Sequence, residues 1–203
     1  EILPPAYAEG IDRFNEEHDQ AVAVPSDEEI FDQVGNPVNE IYENLFPALS
    51  DEERPRLQQS IFSALLRRIR RGEGRVFDGV HSVLESLGEH RPLGVVTNAQ
   101  TEYMNSVLRT HNLERHFEHT LCNDDAPTGR KSEIVEMQLR NFDVDPRQSL
   151  LVGDRESDRR AARSHDLHFI GCSFGYGREA LFEGDPTVGA FTELPDRIQT
   201  FTA

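Results

Sequence analysis

The stretch "LLVGDRESD", residues 150 to 158, decides the fold of this chain. An apolar run ends in Gly153 and Asp154, and Asp158 follows four residues later. A buried strand followed directly by a helix produces this pattern, and the helix returns Asp158 toward the strand tip. Two converging carboxylates beside a glycine form an oxygen-rich site suited to Mg²⁺. The pattern also arises when an aspartate caps a helix with an acidic first turn, so both interpretations stay open.

Further short apolar runs lie on both sides of this strand and alternate with stretches of helical periodicity. Strands that alternate with helices form parallel sheets through right-handed crossovers. We therefore predict an α/β domain over residues 73–203 with a Rossmann-like parallel sheet. The predicted strands are 93–97, 119–122, 149–152, 168–172 and 188–191, with helices near 100–112, 130–141 and 155–165.

Residues 1–72 carry helical signals only. An amphipathic stripe opens the chain, and two capping boxes start later helices at Ser26 and Ser50. The stripe consists of Tyr7, Ile11 and Phe14. We predict an all-helical domain over 1–72, joined to the α/β domain over 73–203.

Ligands of open parallel sheets bind beyond the carboxyl ends of the strands, so the residues that follow each strand are the first candidates. Thr97 and Asn98 follow the run "LGVV". A hydroxyl, a carboxamide and backbone N–H groups at this point suit phosphate oxygens. The alternative is that either side chain simply caps the next helix.

Lys131 is the single lysine of a chain with 21 Lys and Arg residues. A lysine at a helix start is often only a solvated surface charge. This chain, however, uses arginine elsewhere, and an ammonium is a compact point charge that the wide guanidinium fork does not replace. We therefore predict that Lys131 belongs to the site.

The net charge of −16 is spread along the whole chain. Such a surface argues against non-specific binding to nucleic acid or anionic membranes. No apolar run approaches the roughly 20 residues of a membrane span, and we expect a soluble cytoplasmic protein with buried thiols at Cys122 and Cys172. An acidic, lysine-poor surface is typical of proteins adapted to high salt, and equally of GC-rich genomes that favour arginine codons.

Taken together, these residues resemble the haloacid dehalogenase superfamily of aspartate-nucleophile phosphatases. The ordered signature of that superfamily matches Thr97, then Lys131, then Asp154 with Asp158. The segment "GCSFGYG" at 171–177 is similar to the phosphoglycolate-phosphatase-like branch, and residues 1–72 look like the helical cap of that branch.

The resemblance implies a role for each candidate residue. Thr97, assisted by Asn98, binds the phosphoryl oxygens, and Lys131 neutralises the nucleophile and the phosphoryl group. Asp154 binds Mg²⁺, and Asp158 supports that metal site. The implied function is Mg²⁺-dependent hydrolysis of a small phosphorylated metabolite through an aspartyl-phosphate, with the helical cap selecting the substrate.

In this superfamily an Asp-x-Asp at the end of a first strand supplies the nucleophile and the general acid. We expect that motif upstream of residue 1, on a strand at the middle of the sheet. Residues 1–203 alone are therefore expected to catalyse poorly, with two inner strand edges unpaired. The alternatives are a non-catalytic fragment or pseudo-phosphatase that binds a ligand or partner, a sugar phosphomutase, and a haloacid dehalogenase. Gly153-Asp154 disfavours the last, since dehalogenases generally carry Ser-Asn there.

Overall fold

A computed structural model of the chain describes residues 2–176 and 182–201. Gly177, the last residue of the "GCSFGYG" segment, lies outside the described residues. The chain forms two compact units, Glu1–Arg75 and Val76–Ala203. Over the described ranges, no helix combines the length and the apolarity needed to cross a membrane.

Unit 1 is helical. Its core joins aromatic and aliphatic side chains of all four helices, among them Phe14, Ile30, Tyr42 and Ile61. The Ser26 hydroxyl accepts from the Glu29 N–H, as the capping box predicts. The helices are α1 Leu3–His18, α2 Asp27–Gln33, α3 Val38–Leu45 and α4 Glu53–Arg70.

The helices α1 and α4 approach each other closely at Gly10. A Cβ on Gly10 would overlap the Ile61 backbone of α4. The Ser60 hydroxyl of α4 donates to the Gly10 carbonyl at 2.8 Å. The absence of a side chain at Gly10 therefore sets the distance between the two longest helices of this unit.

Unit 2 is an α/β domain, as predicted, with parallel strand pairs. Its helices are α5 Val80–Gly88, α6 Thr101–Thr110, α7 Lys131–Phe142, α8 Glu156–Ser164 and α9 Leu194–Gln199. Its strands are β1 Gly94–Val96, β2 His119–Leu121, β3 Leu150–Gly153, β4 His168–Cys172 and β5 Thr187–Val188.

The strands form two sheets: β1 pairs with β2, while β3, β4 and β5 pair in that order. All pairs are parallel, with Val95 opposite Thr120 and Leu151 opposite Phe169. No strand pairing joins β1 to β3 among the described residues. The prediction of parallel α/β architecture is confirmed, but the sheet is divided.

The edge of β1 that faces away from β2 can be identified from its hydrogen bonds. Thr97 N donates to Leu121 O, and Glu118 N donates to Leu93 O. Because successive peptide groups of a strand point to alternate edges, the peptide groups of Gly94 and Val96 point away from β2.

The same reasoning locates the unpaired edge of β3. His168 N donates to Ser149 O, and Leu151 lies opposite Phe169. The N–H and C=O groups of Ser149 and Leu151 therefore point to β4. Those of Leu150 and Val152 point to the other edge of β3. The strands β1 and β3 thus each have one edge without a strand partner within the described residues.

Helices hold the two sheets next to each other from both faces. On one face, Val80 and Leu84 of α5 pack with Cys122 beyond β2, while Val83 packs with Ile170 of β4. On the other face, α7 packs against β1, β2 and α8, and α8 packs against β3 and β4. The carboxyl ends of β1 and β3 are therefore held by a common layer of helices.

The last strand differs from the sequence prediction. Residues 188–191 were expected to form it, but β5 covers only Thr187–Val188, and Phe191–Glu193 form a 3₁₀ turn. Leu194 and Ile198 of α9 supply apolar side chains to the same core. The apolar run thus reflects burial, which a 3₁₀ turn satisfies as well as a strand.

We expect Gly10→Ala to destabilise the chain by about 1–3 kcal/mol, because the added methyl must push α1 away from α4. The measurement is urea unfolding followed by far-ultraviolet circular dichroism. The matched control is Gly88→Ala, where the nearest heavy atom to an added Cβ lies 3.8 Å away. The control should stay within about 1 kcal/mol of the parent, and an equal effect of both substitutions would contradict the close-packing argument.

Candidate active site at the carboxyl ends of β1 and β3

Lys131 is the first residue of α7, and its ammonium is largely buried. Lys131 Nζ donates to the Val96 carbonyl at 2.7 Å and lies 3.1 Å from Asp158 Oδ1. The side chains of Lys131 and Asp158 are only 12% and 10% exposed. The ammonium therefore joins the end of β1 to the first turn of α8, and it is not a solvated surface charge.

The Asp158 carboxylate is held by two donors. Besides Lys131, the Arg155 N–H donates to Asp158 Oδ2 at 3.1 Å. A Cβ on Gly153 would lie 2.5 Å from Asp158 Cγ and Oδ2. Gly153 is thus needed at the end of β3 so that this carboxylate can reach the strand tip.

Asp154 follows β3 directly and lies against the loop after β4. Its Oδ2 accepts from the Tyr176 N–H at 2.7 Å. A Cβ on Gly175 would lie 2.5 Å from Asp154 Cβ and Oδ2. The backbone at 175–176 therefore fixes one oxygen of this carboxylate, and the side chain remains 30% exposed.

Thr97 and Asn98 follow β1, next to the carbonyl that Lys131 contacts. Thr97 Oγ1 accepts from Ala99 N at 3.1 Å, in a local turn that precedes α6. The α6 helix begins only at Thr101, and its first N–H donates to Asp124 Oδ2 at 2.8 Å, not to Thr97 or Asn98. Helix capping therefore does not account for either residue. Asn98 Oδ1 is buried and has no hydrogen-bond partner within the part of the chain that the structure describes.

The structure thus brings Lys131 and Asp158 into direct contact and sets Thr97 beside them through Val96. No hydrogen bond or ion pair joins Asp154 or Asn98 to Lys131 in the described ranges. The two carboxylates also differ in their surroundings: Asp158 is buried among donors, and Asp154 faces a loop.

Sequence reasoning missed Arg155 and the backbone of Gly175 and Tyr176. The Arg155 guanidinium lies 5.5 Å from the centroid of the Tyr176 ring, and its Nε is 4.0 Å from Asp154 Oδ2. Its Nη2 is buried and lacks a hydrogen bond among the described residues. The position of Arg155 next to Asp154 was the available signal, whereas nothing in the sequence pattern marks a backbone N–H as a carboxylate donor.

The two carboxylates of the site differ in how well they suit a hard cation. Both oxygens of Asp158 have partners, whereas Asp154 Oδ1 makes no hydrogen bond in the described part of the chain. Over the same residues, no three His, Cys, Asp or Glu side chains converge on one point. Mg²⁺ usually binds through one or two carboxylates and keeps several waters. The carboxylate oxygen of Asp154 that makes no hydrogen bond is therefore a suitable Mg²⁺ ligand. Asp158 is better suited to pair with Lys131 than to bind a metal.

The carboxylates of Asp154 and Asp158 also affect the pKa of the Cys172 thiol at the end of β4. Burial raises the pKa of the Cys172 thiol to about 12, with the negative charges of Asp154 and Asp158 adding to the effect. Burial likewise raises the pKa of the Cys122 thiol. Both cysteines are free and buried thiols, as the sequence predicts.

The sequence of this chain is similar to those of known hydrolases. The family model described as haloacid dehalogenase-like hydrolase matches residues 10–172. A 5'-nucleotidase of Pseudomonas aeruginosa is 29% identical over 109 residues, which cover 53% of this chain and 49% of that protein. A phosphoglycolate phosphatase of Vibrio vulnificus strain YJ016 is 24% identical over 143 residues, covering 69% and 62%. The chain therefore spans less than two thirds of the length of these two relatives.

Solved structures share the fold at low sequence identity. A protein described as a predicted phosphoglycolate phosphatase from Haemophilus somnus 129PT superposes with a TM-score of 0.83 and 18% identity. The match covers 98% of this chain and 91% of that one. A haloacid dehalogenase-like family protein from Streptococcus pneumoniae gives a TM-score of 0.81 with 18% identity, covering 97% and 90%.

We expect Lys131→Met to destabilise the chain by about 3–5 kcal/mol, because it leaves the buried Asp158 carboxylate without its ammonium. The double variant Lys131→Met with Asp158→Leu removes both charges and should be more stable than the single variant. Urea unfolding of the parent, both single variants and the double variant gives the coupling energy. Additive effects would mean that the two side chains do not interact.

We expect the native Cys172 thiol to react with iodoacetamide at pH 8 roughly a thousandfold more slowly than in the unfolded chain. A pKa near 12 leaves very little thiolate at that pH, and thiolate is the reactive form. The measurement is mass-spectrometric labelling in a Cys122→Ser background, with and without guanidinium chloride. Rapid labelling of the native protein would contradict the buried, negatively charged surroundings.

Proposed function

Because the chain belongs to the haloacid dehalogenase-like hydrolase family, we propose that it is the phosphate-binding part of a phosphomonoester hydrolase. The observation that carries this proposal is the buried ammonium of Lys131 between the ends of β1 and α8. A buried cation beside strand ends is an anion-binding arrangement, and phosphoryl transfer depends chiefly on positioning and charge neutralisation.

The protons of Lys131 support this role. An ammonium has three donors. One points to the Val96 carbonyl and one to Asp158 Oδ1. The third is available for a phosphoryl oxygen or for the attacking carboxylate. We propose that Thr97 and Asn98 supply further donors to the phosphoryl oxygens from the turn after β1.

Asp154 is proposed as the residue that holds Mg²⁺, through the carboxylate oxygen that the Tyr176 N–H leaves free. Bound Mg²⁺ supplies neutralisation of charge on the phosphoryl oxygens. Asp158 is proposed to act on the same site through Lys131, by holding the ammonium in position.

We propose that the attacking carboxylate comes from a strand between β1 and β3. Both facing edges lack a strand partner among the described residues, and such a strand would end beside Lys131. Its aspartate oxygen attacks phosphorus, the phosphorus–oxygen bond to the alcohol breaks, and the leaving oxygen takes a proton from an acid. Water then attacks phosphorus and gives a proton to the conjugate base of that acid, while the bond from phosphorus to the aspartate oxygen breaks, which frees inorganic phosphate and regenerates the carboxylate and the acid.

The proposed substrates are small phosphorylated metabolites, a class that includes the substrates named for the relatives: phosphoglycolate and 5'-nucleotides. A second candidate is a protein that binds such a ligand without hydrolysing it. The divided sheet favours this candidate, because no strand pairs between β1 and β3 among the described residues to carry an attacking aspartate.

Phosphate release by the full natural polypeptide is the test, measured against a panel of phosphomonoesters with Mg²⁺ and with chelator. We expect chelator to abolish turnover. Lys131→Arg should lose most of the activity, since the guanidinium fork does not fit a point-charge site. The matched control is Arg130→Ala, which removes the exposed neighbouring cation and should leave turnover intact.

Two outcomes separate the candidates. Chelator-insensitive turnover, or undiminished turnover in Lys131→Ala and Asp154→Asn, would contradict the proposed mechanism. Binding of phosphomonoesters without any release of phosphate, again weakened by Lys131→Ala but not by Arg130→Ala, would favour the ligand-binding protein.

A further inference from the structure

The guanidinium of Arg155, just beyond the end of β3, is largely enclosed by protein and makes no hydrogen bond to a described residue. The side chain is 22% exposed, and its Nη2 is buried without a partner over those residues. Its Nε lies 4.0 Å from Asp154 Oδ2, which is beyond hydrogen-bond distance. Buried donors of a charged group are costly unless an acceptor satisfies them. This guanidinium therefore needs an acceptor.

Burial alone does not leave an arginine of this chain without an acceptor. Three other described arginines have side chains that are 17–23% exposed. Each of them donates to a carboxylate: Arg54 to Asp51, Arg68 to Glu73 and Arg159 to Asp185. Arg155 is equally buried and has no such bond among the described residues, which indicates that its acceptor is a ligand.

The loop after β4 fixes the orientation of this guanidinium. Arg155 Cζ lies 5.5 Å from the centroid of the Tyr176 ring, within the range of a cation–π interaction. The N–H of the same tyrosine donates to Asp154 Oδ2 at 2.7 Å. One residue thus positions both the Asp154 carboxylate and the Arg155 guanidinium. A cation that is already oriented loses little conformational entropy when it binds an anion.

The backbone of Arg155 belongs to the same site as Lys131. The Arg155 N–H donates to Asp158 Oδ2 at 3.1 Å, and Lys131 Nζ lies 3.1 Å from Asp158 Oδ1. The two residues therefore hold opposite oxygens of one buried carboxylate. Arg155 also follows Asp154 directly in the sequence, so its side chain starts from the carboxyl end of β3.

The charges of the site leave room for a second cation. Lys131 is paired with Asp158, and the two charges largely offset each other. A phosphate monoester carries about −1.5 to −2 charges at pH 7. The guanidinium fork matches the spacing of two phosphate oxygens, whereas an ammonium acts as a point charge. Arg155 and Lys131 thus offer different and compatible contacts to one phosphoryl group.

We propose that Arg155 is a further substrate-binding residue, whose guanidinium donates to oxygens of the phosphoryl group. This inference rests on the proposed phosphomonoester function and adds a second cationic contact to the one that Lys131 supplies. The bound phosphoryl group provides the acceptor that the buried guanidinium lacks in the described part of the chain.

The test is calorimetric titration of the full natural polypeptide with inorganic phosphate in buffer that contains MgCl₂. Arg155→Gln should raise the Kd for phosphate at least about tenfold, because a charge-assisted hydrogen bond is lost. The matched control is Arg160→Gln, which removes the same charge from an exposed position on α8. It should change the Kd less than about twofold, since salt screens exposed charges.

Melting temperatures without ligand separate substrate binding from a structural role. Arg155→Gln removes donors that no described residue accepts, so the melting temperature should not fall by more than about 3 °C. A larger fall would show that the guanidinium stabilises the fold through a protein partner, and it would overturn the proposal.

Two phosphonates that phosphatases do not hydrolyse test which part of the ligand Arg155 contacts. Phosphonopropionate carries a carboxylate and propylphosphonate does not, and Arg155→Gln should weaken the binding of both by a similar factor. Weakening confined to phosphonopropionate would assign the guanidinium to the carboxylate of the leaving group and overturn the proposal.

The phosphate titration also separates this inference from the proposed function. Phosphate binding by the parent that Arg155→Gln and Arg160→Gln leave equally unchanged would overturn the role of Arg155 alone. A parent that binds no phosphate would contradict the proposed function as well.

Discussion

The carboxyl ends of β1 and β3 in the α/β unit depend on the buried ammonium of Lys131 and its two contacts. Taking an ammonium out of water is costly unless hydrogen bonds and an opposite charge replace the water. Here a main-chain carbonyl at the end of β1 and a carboxylate on α8 supply both. Since β1 and β3 belong to different sheets, the lysine links two halves that no backbone hydrogen bond joins in the described residues.

Two aspartates four residues apart perform different tasks because of what surrounds them. Asp158 lies on the inner face of α8 and has both oxygens engaged by donors. Asp154 lies at the strand end, where a backbone N–H fixes one oxygen and the other makes no hydrogen bond to the residues that the structure describes. The glycines at 153 and 175 leave the space for these carboxylates. A side chain at either position would displace the carboxylate before it disturbed the fold.

The sequence predicted the fold class and the approximate places of four strands, because alternating strands and helices leave a strong periodic signal. It also singled out Lys131 and Asp158, since one side chain was compositionally unusual and the other had helical spacing from a strand end. It missed the acceptor role of the Val96 carbonyl and the donor role of the Tyr176 N–H, because any residue type supplies those groups. The division of the sheet was expected only through the family resemblance. An apolar strand has the same side-chain pattern whether one or both of its edges are paired.

Overall charge does not determine what this chain binds. With a net charge of −16 the surface repels anions at long range, so the proposed phosphate-ester ligand would be retained only where a cation is held close to strand ends and shielded from solvent. Screening by salt acts strongly on the exposed acids and weakly on the buried pair of Lys131 and Asp158. Higher ionic strength therefore reduces the surface repulsion more than it weakens the local attraction. The acidic surface and an anion-binding site are compatible for this reason, whichever of high salt or codon usage accounts for the acidity.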